Sequence, residues 1–127
     1  MLDAREIRPG LALFLDPDFL LARGASYTGQ EQGRVRGPHY FVCVSVVGDA
    51  SEWVATSSHP ALGRILIRRK SGHPGWVKPP SYADLWQVWT ATNDAVTRAA
   101  LAAGDASAPG ARNLAALRFL FDARCAA

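Results

Sequence analysis

No stretch of this 127-residue chain approaches the ~20 consecutive apolar residues that a helix needs to cross a bilayer. The opening MLDAREIRPG is charged and has no apolar centre, so no secretory signal is visible and the cytoplasm is the expected compartment. Cysteine is scarce. Cys43 lies in an apolar segment and Cys125 near the end of the chain; neither has a neighbour at metal-ligand spacing, and two reduced thiols are expected. The three histidines, His39, His59 and His73, each sit beside a proline with no second ligand at i+2, i+3 or i+4, so no metal and no cofactor is expected. The phosphate-binding GxxxxGK[ST] loop, GxGxxG, HExxH, CxxC and GxSxG are all missing. Those absences set aside the commonest nucleotide-binding, zinc-protease, thiol-redox and serine-hydrolase readings. Asp16 and Asp18, the only close carboxylate pair with a catalytic look, are explained by a turn.

What is present suits one globular domain spanning residues 1–127. Hydrophobic residues make up 49% of the chain, too many for a disordered polymer. The net charge of +3 is unevenly placed. Residues 1–22 carry two arginines against four acids, whereas residues 23–80 carry six arginines and two lysines against Glu31, Asp49 and Glu52. The basic middle is a modest electrostatic footprint for a polyanion.

Leu11–Leu15 (LALFL) reads as a first strand, stopped by the turn chemistry of Asp16-Pro17-Asp18. Phe19–Leu21 is a brief apolar segment of open type. Residues 23–38 are polar and carry Gly24, Gly29, Gly33 and Gly37, which predicts a long functional loop. Tyr40–Val47 (YFVCVSVV) is apolar throughout and predicts a central strand buried on both faces. Gly48-Asp49 turns it into a hairpin partner, Glu52–Ser57; Arg64–Arg68 and Leu85–Thr90 are further short strands, separated by the proline-rich loop Ser71–Pro80. Asn93-Asp94 then supplies an N-cap and a first-turn acid for a helix closed by Gly104. Ala111–Arg124 places Leu114, Leu117 and Phe121 on one face of a second, amphipathic helix. The expected fold class is mainly β: about five short antiparallel strands curled into a small barrel, with one or two packing helices towards the C-terminus.

The chemistry concentrates in Gln30–Ser58. An arginine-bearing loop precedes a central strand, and the return strand ends in three hydroxyls, which brings Arg34 or Arg36 towards Thr56, Ser57 and Ser58 at one end of the sheet. Guanidinium forks suit phosphate, and hydroxyls donate to its oxygens. Such a site can cleave RNA without metal, because the substrate's own 2′-OH is the nucleophile and the protein supplies positioning, charge and proton transfer. His39 has the pKa range for that transfer.

Through these residues the chain resembles the MazF/PemK (Kid) family of toxin endoribonucleases. The family pattern is an early strand, a loop with a Q-x-G-x-R-P-like motif, an apolar strand and a strand ending in T-S. Here those positions read Gln32-Gly33-Arg34-Val35-Arg36-Gly37-Pro38, then Tyr40–Val47, then Ala55-Thr56-Ser57, with Ser81-Tyr82 before the later strand and a closing helix after Gly104-Asp105. Gly37 stands between Arg36 and Pro38 where the family joins arginine directly to proline. The resemblance implies an SH3-like barrel, a homodimer, and neutralisation by a small antitoxin. It implies catalytic roles for Arg36, Thr56 and His39, and contacts of Gln32, Arg34, Ser57 and Ser58 with the phosphates of single-stranded RNA. A non-catalytic SH3-like barrel that binds a protein or nucleic acid is the alternative. Of Trp53, Trp76, Trp86 and Trp89, some are expected at an interface or groove, where aromatics concentrate.

Overall fold

A computed structural model describes residues 2–29, 31–57, 64–66 and 82–103. Within them six antiparallel strands form one sheet: β1 (Ala12–Leu15), β2 (Ser26–Tyr27), β3 (His39–Val47), β4 (Ala50–Ser57), β5 (Arg64–Leu66) and β6 (Tyr82–Thr92). The order is β1-β3-β4-β6-β2, and β5 pairs with the other end of β6. Two helices accompany it, α1 (Pro17–Ala22) and α2 (Asn93–Ala102). The fold is mainly β, with a helix following the last strand.

The β3–β4 hairpin forms where expected. Val47 faces Ala50 across Gly48-Asp49, and Gly48 takes a φ of +61°, the left-handed value that a two-residue turn demands. One face of the sheet carries Leu13, Leu15, Phe41, Cys43, Trp53, Ala55 and Trp89, and α2 lays Ala95, Val96, Ala99 and Ala100 against the same core. Across the strands Cys43, Trp53, Trp89 and Tyr27 stand in one row, with the Tyr27 and Trp89 rings 4.9 Å apart. On the opposite face Ala12, Val42, Val54 and Val88 align, and all four are buried. The two-sided burial expected over Tyr40–Val47 is therefore found at Phe41–Val44 and continues into β4 and β6, whereas Val47 at the end of β3 is exposed.

Several local readings are corrected. The residues around Asp16-Pro17-Asp18 do more than turn the chain: the Asp16 carboxylate accepts from the Asp18 amide at 2.9 Å and Pro17 fills the first helical position, so α1 starts here. Turn residues and cap residues share the same chemistry, which is why the two were not separable by sequence. Residues 23–38 are not one loop, since they hold β2 and a 3-10 turn at Glu31–Gly33. The N-cap of α2 is Thr92 rather than Asn93, its hydroxyl accepting from the Ala95 amide at 3.1 Å. Of the four tryptophans, Trp53 and Trp89 are fully buried in the core, while Trp76 and the Trp86 side chain lie outside what is described. The barrel does not close among the described residues: β1 and β2 end the sheet without pairing to each other, and α2 packs on β1, β6 and α1. The Ala111–Arg124 helix, the Ser71–Pro80 loop, Ser58 and Gly104 lie outside the described residues. Among those described, no helix is long and apolar enough to cross a membrane, and no group of three or more His, Cys, Asp or Glu is placed to hold a metal.

Candidate functional site

The register brings the loop, the start of β3 and the end of β4 to one end of the sheet. His39 opens β3 opposite Leu15, Thr56 and Ser57 close β4 opposite Ala83 and Tyr82, and the Thr56 hydroxyl reaches across to the Tyr40 carbonyl at 3.0 Å. Of the residues expected together, Arg34 or Arg36 with Thr56, Ser57 and Ser58, the backbone brings the arginine loop, Thr56 and Ser57 to this end, and Ser58 lies outside the described residues. Their side chains, however, have different occupations.

Arg34 is turned into the fold. Its Nη1 donates to Asp18 Oδ1 of α1 at 2.8 Å, and its side chain is only 10% exposed while that of Asp18 is 60% exposed. That pair neutralises its charge and ties the loop to α1. Arg36, two residues on, is exposed. Gln32 is exposed on the 3-10 turn, away from any buried contact.

Between the two arginines, Val35 is buried and its amide donates to Gln87 Oε1 of β6 at 3.0 Å. Gln87 Nε2 donates to the Gly33 carbonyl at 3.3 Å, and Trp89 Nε1 also donates to Gln87 Oε1, at 3.1 Å. Gln87 is 5% exposed. A buried amide is costly unless its polar atoms are matched; here both ends are used.

After Arg36 the chain reverses at Gly37, whose φ of +72° favours glycine. The reversal lets His39 Nε2 meet the Arg36 carbonyl at 3.1 Å. A carbonyl only accepts, so this contact requires the proton on Nε2 and leaves Nδ1 of a neutral ring as the nitrogen able to take one. Thr56 is 7% exposed and gives its hydroxyl proton to Tyr40, so with that bond made it can accept from a ligand but not donate to one. A mainly apolar groove of about 480 Å³ adjoins this end, walled by Phe14, Phe19, Pro38 and the last turn of α2, with Asp16 also in its lining.

Gln87 and Asp18 had not been singled out as part of the site from sequence. The signal for Gln87 was there: it has the same strand parity as Trp89, so it points to the core face, and a polar residue on a core face needs a buried partner. Asp18 gave no comparable sign, because nothing local links it to a residue sixteen positions away. Comparison with models of protein families, with curated proteins and with solved structures returned no match.

Proposed function

We propose that this chain is a metal-independent endoribonuclease of the toxin type, acting on single-stranded RNA. The observation that carries this reading is an exposed arginine followed three residues later by a histidine whose Nε2 meets that arginine's carbonyl, at the end of the sheet. His39 Nδ1 takes the proton of the substrate 2′-OH as the 2′-oxygen attacks phosphorus. The P–O5′ bond breaks, a 2′,3′-cyclic phosphate forms, and the leaving 5′-oxygen takes its proton from water. Arg36 offsets the negative charge that builds on the equatorial oxygens, where a forked cation is most effective. Ser57, at the end of β4, is a further contact for the RNA backbone in this reading, and the Phe14–Phe19 groove offers a base an apolar wall. In this reading a second copy of the chain and a small acidic antitoxin are the protein partners, and the compartment is the cytoplasm.

The Thr56 geometry favours a second reading. A hydroxyl whose proton is held by Tyr40 is a poor donor to phosphate, which fits a barrel-like module that binds RNA or protein without turnover.

The separating experiment incubates purified protein with a long mixed-sequence RNA in EDTA and analyses the ends. The endonuclease reading expects specific cuts with cyclic-phosphate ends, lost in Arg36→Ala, whose cleavage falls far more than its RNA affinity. Intact RNA with wild-type protein, together with salt-dependent binding weakened by Arg36→Ala, would leave the binding module.

A further inference from the structure

We propose that Gln87 is the positioning residue of this site: it fixes the Gly33–Val35 backbone and so places Arg36. The proposal rests on the reading of Arg36 as the charge that meets phosphate. Gln87 projects no atom to a ligand; it acts through the loop.

Three features support it. First, Gln87 is the buried polar side chain to which the loop is tied, and its bonds to Val35 and Gly33 bracket Arg34 and run up to Arg36. Second, the strand is distorted just where it must be. Between the partners of Val54 and Thr56, Asp84 to Gln87 on β6 stand against Ala55 alone on β4, and the regular register resumes at Val88, right after Gln87. Third, the Arg34–Asp18 pair holds the same loop from the α1 side, so the segment before Arg36 is held at two points from opposite elements. A pinned backbone followed by a glycine turn gives Arg36 a fixed origin. Arginine is a residue of high side-chain entropy, and fixing its origin is the part of the ordering that the protein can supply before RNA arrives.

A leucine at this position would fill the space and keep the strand apolar, yet it would leave the Val35 amide, the Gly33 carbonyl and the Trp89 indole N–H without their partner. A purely structural glutamine would lower stability and the active fraction and do nothing else. A positioning glutamine does more: the folded protein remains, and its turnover number falls.

The test compares wild type, Gln87→Leu and Gln87→Glu by amide exchange at Val35 and by cleavage kinetics on a single-stranded RNA in EDTA. Expected in Gln87→Leu is a loss of Val35 protection of about tenfold, from the missing hydrogen bond. Amides of Trp53 and Val54 should exchange as in wild type. Turnover should fall by more than tenfold at saturating RNA with KM changed far less. Gln87→Glu retains an oxygen for Val35 and Trp89 and loses the donor to Gly33, so it should lie between the two in both readouts, and it carries the test if Gln87→Leu does not fold. Val35 protected as in wild type in the variants overturns the proposal. So does a loosened loop with unchanged turnover. Wild type that cuts nothing defeats the endonuclease reading alone; the proposal is then decided by Val35 exchange and by oligonucleotide affinity. That affinity must fall, with a shallower salt dependence, in Gln87→Leu.

Discussion

Separating Arg34 from Asp18 is the sharpest test of how the two arginines divide their work. The sequence offered Arg34 as a phosphate contact, whereas the fold closes it on Asp18 at 2.8 Å with its side chain 10% exposed. For unit charges about 4 Å apart, attraction is about 1 kcal/mol in water and about 4 kcal/mol at an effective dielectric of 20. Asp18 is 60% exposed, so water takes back much of that difference. A coupling near 1 kcal/mol is expected from a double-mutant cycle of Arg34→Met, Asp18→Asn and the pair, at the upper end for exposed ion pairs. For a chain of this size that is a fall in Tm of roughly 3–5 °C for either single variant. Salt should matter little, because the pair is far shorter than the ~10 Å Debye length at 0.1 M. Chemical denaturation in urea and RNA titration on the same four proteins are the measurements. The reasoning fails if the coupling vanishes, or if Arg34→Met lowers the salt dependence of RNA binding while Asp18→Asn leaves it alone. Either outcome would put Arg34 on phosphate and not on α1.

Thr56→Val removes a hydroxyl that bridges β3 and β4 and should cost about 1 kcal/mol, read as a lower urea midpoint with unchanged slope. A loss of cleavage beyond what the unfolded fraction accounts for would mean that Thr56 leaves Tyr40 and donates to RNA. Cys43 is fully buried, and burial pushes its thiol up to about 12 from an ordinary 9.0. It should resist alkylation in the native protein. An unfolded chain releases that proton first, so the stability it confers is complete below pH 9 and drains away as pH rises towards 12, by about 1.4 kcal/mol per pH unit. Cys43→Ala should flatten that decline in a pH series of thermal melts.

The strands were legible because their signals are local. YFVCVSVV reads as a central strand, buried on both faces over Phe41–Val44, and a glycine-led turn in front of Glu52–Ser57 marks the β3–β4 hairpin. The return of β4 beside the loop then followed from the hairpin alone, which is why the shared end of the arginine loop and Thr56 could be anticipated. What stayed hidden depended on partners distant in sequence. The two-residue β2 has no periodicity to read; it exists because Tyr27 stacks on Trp89 and the Thr28 hydroxyl accepts from the Val88 amide. The fate of Arg34 was set by an aspartate on α1, and α1 itself was masked by residues that cap helices and make turns equally well. Which tryptophans are core was equally hidden: Trp53 and Trp89 can be buried because each finds an internal acceptor for its indole N–H, Ser51 and Gln87.

The shared acceptor at Gln87 has an optical side. The Trp89 indole and the Val35 amide donate to the same oxygen, so any ligand that lifts the loop alters the hydrogen bond of a fully buried chromophore. Indole emission is sensitive to that bond and to the polarity around it. The protein therefore carries its own fluorescent reporter of loop position, wired through one side chain, and anions can be screened against it without a label.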